Sequence, residues 1–325
     1  MFNSFDLKRE YMFALEDVAR TAGRKILEYR GAVGDTEHRH GSEESNIDIF
    51  AFETVLGALE ERMRRLPEKD RFVGKYLFES HEFQDLKGKT GSVKGYLRID
   101  EIDGTTNAKR RAASKFSYAP LSAVSMALSE DLSLSSIVLG TLFDMYEQSA
   151  WSGMRVEGSY MAFHNGTVLN PKDFAEPHGD SCMRIMVAGY CHTQRGKKAQ
   201  IEQAIVDADK NKKFYRVYEG CRATAQDVLN IIRNQSDAYI DPRALWPGNG
   251  AMLYPYDVAG VIPIALGCGL EVSDIHGNPL DMYKSNNDPL TLIVARKGMK
   301  DKFVEMLKPV IERQQKEANE PPKAA

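Results

Sequence analysis

The run Asp100-Glu101-Ile102-Asp103-Gly104-Thr105-Thr106-Asn107 constrains this chain more than any other stretch, because two carboxylates three residues apart lead straight into a glycine and two hydroxyls. Ahead of it Tyr96-Leu97-Arg98-Ile99 alternates as a short strand does, and Gly104-Thr105-Thr106-Asn107 carries the turn and hydroxyl chemistry of a helix start. A strand that ends in acids and turns into a helix puts free backbone N–H groups, and the positive end of the helix dipole, just beyond Asp103. Cation ligands and an anion cradle then lie side by side. An Asx turn and a capped helix would account for Asp103-Gly104-Thr105 alone, but not for the eight residues together.

A second segment points the same way. From Tyr256 to Leu266 the sequence is apolar almost throughout, as in a buried helix, and Gly267 and Gly269 close it before a strand. Asp257 stands alone near the start of that stretch, where an acid can also serve as a cap stabilising by roughly 0.5–2 kcal/mol. If Asp100, Asp103 and Asp257 converge, each pair about 5 Å apart repels by roughly 3 kcal/mol at an effective dielectric of about 20. Such a cluster is costly without a cation. Oxygen-only ligands, with no His or Cys at suitable spacing, favour a hard ion such as Mg²⁺ over Zn²⁺.

The octapeptide resembles the Asp-Pro-Ile-Asp-Gly-Thr-Thr-Asn signature of the inositol monophosphatase and fructose-1,6-bisphosphatase superfamily at every position but Glu101. Tyr256-Asp257-Val258-Ala259-Gly260 is similar to that superfamily's Trp-Asp-x-Ala-Ala-Gly helix, in the family's order and at a family-like separation. The resemblance covers most of the chain. It implies a layered α-β-α-β-α sandwich of mixed α+β and α/β character, a homodimer, and Mg²⁺-dependent, lithium-sensitive hydrolysis of a small phosphorylated metabolite, with two or three Mg²⁺ ions. It also implies site roles: Asp100 bridging two metal positions, the Ile102 carbonyl at the first, Asp103 and Asp257 at the second, and Gly104, Thr105 and Thr106 around the phosphate.

The remaining first-metal ligand comes, in the family, from a Gly-Glu-Glu motif, and the matching place here is Leu77-Phe78-Glu79-Ser80-His81-Glu82. Glu79 is expected there from its spacing to Asp100, with Glu82 as the alternative. A metal-bound water is the implied nucleophile, oriented by Thr105. The acid that works with this threonine belongs to an Asp-x-Val-Thr-x-x-Asp motif, onto which Ser42, Ser45 and Asp48 fall. Glu43, Glu44, Asp48 or the metals alone are left to activate the water.

Glu101, in place of the family's proline, adds a charge and loosens the turn, with exposure to solvent the simple expectation. Lys109-Arg110-Arg111 suits either a second substrate phosphate or a solvated helix face. Specificity is expected from Asp241 to Tyr254, with Arg243, Trp246 and Asn249, and from Ala223-Thr224. The implied substrates are of the inositol 1-phosphate or fructose 1,6-bisphosphate type. A phosphatase for 3′-phosphoadenosine nucleotides or NADP is the near alternative, and a catalytically weakened member that binds a phosphorylated ligand for regulation is the distant one.

A net charge of −3 argues against a broad basic surface for nucleic acid. Cys182, Cys191, Cys221 and Cys268 have neither metal-ligand nor disulfide-like spacing, and the charged amphipathic N-terminal stretch shows no signal peptide or membrane span. The cytoplasm is the expected compartment. Leu7, Tyr11, Leu15, Val18, Ala22 and Ile26 form one helical stripe that Gly31 can end, residues 34–45 suggest a loop, and Ile47 to Leu66 a second helix stopped by Pro67. Strands are expected at Phe72 to Phe78, Leu121 to Leu128, Ile137 to Phe143, Arg184 to Val187 and Asp237 to Ile240, with helices near Lys197 to Asp209 and Thr224 to Arg233. The expected division is an N-terminal α+β domain over 1–175, a C-terminal α/β domain over 176–313, and a tail over 314–325 that frays into disorder.

Overall fold

The computed structural model describes residues 4–29, 36–39, 42–79, 82–84, 91, 93–113, 120–176, 182–189, 195–208, 214–221, 223–246, 252–282 and 286–319. The first half runs α1 (Phe5–Glu28), β1 (Thr36–Arg39), β2 (Ser42–Ser45), α2 (Asn46–Arg65), β3 (Lys75–Phe78), β4 (Glu82–Gln84), β5 (Tyr96–Asp103), α3 (Thr105–Ala113), β6 (Ala123–Ser129), β7 (Ile137–Asp144), β8 (Ser149–Val156), β9 (Ser159–His164), β10 (Thr167–Val168) and α4 (Lys172–Ala175). The second half runs β11 (Cys182–Val187), α5 (Arg195–Asp207), β12 (Phe214–Glu219), α6 (Thr224–Ile232), β13 (Ala238–Asp241), α7 (Pro255–Ala259), α8 (Ile262–Gly267), β14 (Glu271–Ser273), β15 (Leu292–Ala295) and α9 (Lys300–Asn319).

Two sheets form the β layers. The larger has the order β10-β9-β8-β7-β6-β5-β3-β4, with β3 parallel to β5, and the smaller the order β12-β11-β13-β15-β14, with β11 parallel to both β12 and β13. The inner strands β6, β7, β13 and β15 are buried on both faces, so their sequences are largely apolar runs rather than half-polar alternations. Period-two alternation still sorts the side chains: Ile185 and Val187 face one core while Met186 faces another, and Ile293 and Ala295 oppose Leu292 and Val294 in the same way.

Three cores result. Tyr11, Leu15, Val18 and Ile26 of α1, with Val55 and Leu59 of α2, cover the outer face of the large sheet. Val228 and Leu229 of α6, Val258 of α7 and Ile264 of α8 fill the space between the sheets. Ile201 of α5 and Phe303, Leu307 and Ile311 of α9 cover the far face of the small sheet. The architecture is the layered α-β-α-β-α sandwich. In the middle layer α8 lies so close to β8 that a Cβ on Gly153 would stand 2.2 Å from the Pro263 carbonyl carbon, so only glycine fits there.

Several elements depart from the sequence expectation. The stretch 34–45, expected as a loop, contains an antiparallel hairpin in which Thr36 of β1 pairs with Ser45 of β2. Its polar residues carry no hydrophobic alternation from which to infer a strand. The helix expected from Tyr256 onward is two short helices, because Pro263 lacks the N–H that a continuous ladder would need. β5 does not stop at Ile99 but continues through the acids to Asp103. β8, β9 and β12 are strands without a counterpart among the expectations, whereas the Asn165-Gly166 turn between β9 and β10 has the positive φ values of 49° and 77° that its composition demands. Near the end, α9 runs past the expected fraying point to Asn319, since Gln314 is buried, accepts the Trp246 Nε1–H at 3.0 Å and donates to the Lys197 carbonyl at 3.1 Å. α1 ends at Glu28, and Gly31 lies outside the described residues.

Candidate active site

The site begins with two parallel strands. Phe78 of β3 is in register with Ile99 of β5, so the next residues, Glu79 just past the end of β3 and Asp100 within β5, stand at one level. Opposite β6, Asp100 pairs with Ser125 but Asp103 with Ala123, so β5 holds one residue more than its partner between these points. That bulge re-aims the side chains, as bulges beside functional sites do. Carboxylate oxygens of Glu79, Asp100 and Glu101 all lie within 4.8 Å of one another. Glu101, expected toward solvent, is 5% exposed. Proline and glutamate can exchange at this position because a bulged residue is released from the ladder that a proline would interrupt.

The remaining acids are held by the second half of the chain. Asp103 accepts the backbone N–H of Thr224 at 2.9 Å and of Ala225 at 2.6 Å, which makes it the N-terminal cap of α6. Asp257 accepts the Tyr254 N–H at 2.6 Å at the start of α7. Asn107 donates to the Leu121 carbonyl at 2.8 Å and to the Cys221 carbonyl at 2.9 Å, tying the signature to the turn before α6. Between them Gly104 has φ +83°, and a Cβ there would stand 2.8 Å from both Ala223 Cβ and the Leu121 carbonyl oxygen. The tight passage brings the start of α3, whose first N–H groups have no partner within the helix, to the wall of the cavity that the acids line. The Thr105 hydroxyl donates to the Ile102 carbonyl at 3.1 Å.

All eight residues expected to act, Glu79, Asp100, Ile102, Asp103, Gly104, Thr105, Thr106 and Asp257, line one cavity of about 350 Å³. Thr224, Arg243, Met252, Tyr254 and Tyr256 complete the wall. Arg243 is buried and grips Asp241 through two nitrogens, Nε to Oδ1 at 2.9 Å and Nη2 to Oδ2 at 2.6 Å. The Tyr239 hydroxyl donates to the same carboxylate at 2.8 Å. Trp246, the other named residue of that stretch, is instead buried in the outer core, and Asn249 lies outside the described residues. Lys109, Arg110 and Arg111 do not line the cavity, and Lys109 pairs with Asp48 at 3.7 Å. Glu82 sits in β4 opposite Leu77; its side chain and those of Ser42, Glu43, Glu44 and Ser45 lie outside the described part.

Burial dominates the electrostatics. It pushes Asp103 and Asp257 up to about 7, against the opposing backbone N–H groups on Asp103 and the Arg243 charge on Asp257. Asp100 and Glu101 rise well above the usual carboxylate range from burial, followed by the neighbouring acids Asp103 for the first and Glu79 for the second. Asp100 Oδ1 accepts the Ile102 N–H at 3.1 Å, but Oδ2 is buried with no hydrogen-bond partner among the described residues. Orphaned carboxylate oxygens, an all-oxygen donor set and mutual repulsion fit a hard divalent cation. Sequence reasoning named the acids that line the cavity but not the burial of Glu101, since a bulge leaves no signal in composition or periodicity.

The sequence profile of the inositol monophosphatase family matches residues 7–311. Among solved structures, Thermotoga maritima IMPase superposes with a TM-score of 0.61 at 18% identity, over 92% of this chain and 97% of that one. The extragenic suppressor protein suhB of Bartonella henselae gives 0.64 at 17%, over 91% and 98%. SaIMPase-II bound to 2'AMP gives 0.62 at 17%, over 95% and 98%, and the same protein bound to inositol monophosphate gives 0.61 at 16%, over 94% and 98%. No curated protein matches the chain. At these identities the structures establish the fold, while the profile spans nearly the whole sequence, both acidic segments included: the chain belongs to the inositol monophosphatase family.

Proposed function

We propose that this chain is a Mg²⁺-dependent phosphatase that hydrolyses a small phosphate monoester of the inositol 1-phosphate or fructose 1,6-bisphosphate type. The observation that carries this reading is the single cavity that gathers Glu79, Asp100, Asp103 and Asp257 beside the Gly104-Thr105 helix start. Glu79, Asp100 and the Ile102 carbonyl would hold one cation, and Asp100, Asp103 and Asp257 a second. Bound there, divalent cations supply the charge that polarises a phosphoryl oxygen and lowers the pKa of an attacking water. The chain's own groups then divide the remaining work. Backbone N–H groups of Gly104 and Thr105, at the positive end of α3, grip the phosphate, and Thr106 flanks it. The Thr105 hydroxyl orients the water, with Ile102 fixing its rotamer through the 3.1 Å bond. Arg243, rigidified by Asp241, sets a positive group on the wall where the rest of the substrate would lie.

SaIMPase-II is described with both inositol monophosphate and 2'AMP, so nucleotide monoesters belong in the test beside sugar and inositol phosphates. Phosphate release is measured over inositol phosphates, sugar bisphosphates, 3′-phosphoadenosine phosphate and NADP, with and without Mg²⁺. Turnover should require the cation and fall at least ~100-fold in Asp100→Asn and Asp257→Asn, beyond what outer partners of a metal contribute. Unchanged turnover in either variant would sink the assignment, and ligand uptake without any phosphate release would favour a regulatory binder. We also infer a homodimer, to be checked by light scattering. The cytoplasm, where the free thiols of Cys221 and Cys268 persist, is the inferred location. Among the described residues no helix is long and apolar enough to cross a membrane.

A further inference from the structure

We propose that Glu101 is itself a cation ligand, so that the first metal position of this chain is closed by three carboxylates, those of Glu79, Asp100 and Glu101. The inference rests on the reading of the cavity as a divalent-cation site and adds to it a residue that occupies the place of a proline in the family signature.

The geometry sets it apart from an ordinary buried acid. The bulge between Asp100 and Asp103 turns Glu101 inward, where its carboxylate comes within 4.8 Å of those of Glu79 and Asp100. The residue is 5% exposed. Backbone N–H groups of Glu79 and of Glu101 itself approach the carboxylate, yet Oε2 is buried with no hydrogen-bond partner among the described residues, and Asp100 Oδ2 beside it is in the same condition. Among the described residues no basic side chain pairs with either acid; the nearby Lys109 is paired with Asp48 instead. Burying Glu101 against Asp100, both carrying an oxygen with no hydrogen-bond partner among the described residues, is strongly unfavourable unless something positive joins them, and oxygen ligands converging from one strand and its parallel neighbour are what a hard cation takes.

The test needs no substrate. The full chain, stripped with EDTA, is titrated calorimetrically with MnCl₂ and with MgCl₂, and its thermal midpoint is read with and without each ion, for the wild type, Glu101→Gln and Asp100→Asn. Glu101→Gln keeps the shape and removes the charge. It should weaken one cation site at least ~tenfold, shrink the cation-induced rise in midpoint, and leave the metal-free midpoint equal to or above that of the wild type. A Glu101→Gln protein that binds both ions as the wild type does, while Asp100→Asn binds them weakly, overturns the role of Glu101 and leaves the cation reading standing. Failure of the wild type to bind either ion overturns both. A Glu101→Gln chain that is destabilised without metal also overturns the proposal, because it would make Glu101 a structural acid rather than a charge that awaits a cation.

Discussion

Single residues determine whether the cavity exists at all. Gly104 is the clearest case, since its φ of +83° lies in the left-handed region and its missing Cβ makes room for Ala223 and the Leu121 carbonyl. Gly104→Ala should therefore cost about 1–3 kcal/mol from backbone strain, with further loss from the clash, and should weaken phosphate binding because the start of α3 shifts. Urea unfolding and inhibition by inorganic phosphate measure the two effects separately. A variant as stable as the wild type would show that the turn relaxes. Asn107 acts over a longer reach, since its amide spans from the Leu121 carbonyl to the Cys221 carbonyl and so joins the signature to the other half of the chain.

At the scale of elements, the helices between the sheets carry the site because their starts are aimed at β5. The N-terminus of α6 is closed by Asp103, and α6 is anchored on its other side by Arg233. That guanidinium pairs with the fully buried Asp144 at the end of β7 and with Glu147 at 2.9 Å, and its Nη1 donates to Gln226 at 3.1 Å. Asp144 also accepts the Gln226 amide at 2.7 Å and the Tyr146 N–H at 2.7 Å. Arg233→Met would leave a buried carboxylate without its cation, and the expected loss is about 3–5 kcal/mol by chemical denaturation. Replacing Arg233 and Asp144 together by apolar residues should recover much of that loss. If the single variant proves nearly neutral, α6 is held by packing alone.

The whole molecule should register its acidic centre in the pH dependence of stability. Asp103 and Asp257 are pushed up to about 7 in the folded chain, against about 4 in an unfolded one, and burial raises Asp100 and Glu101 in the same direction. Above the unfolded values the folded state binds more protons than the unfolded state, so stability without metal falls as pH rises from about 4 through about 7. A bound cation favours the ionised forms, and in Mg²⁺ the fall should shrink. Thermal midpoints at pH 5 and pH 8, in EDTA and in Mg²⁺, check this. A metal-free protein more stable at pH 8 than at pH 5 would contradict it. By itself the amino-acid order determined the helical stripe of α1, the apolar runs of β6 and β7 and the Asp100–Asn107 and Asp257 segments, because period, turn chemistry and motif are written within a few residues. Only the tertiary structure decided that Glu101 turns inward at a bulge, that Asp103 caps a helix 121 residues away and that Gln314 is buried under Trp246. Those outcomes depend on strand register and on how layers pack, which no short window of sequence contains.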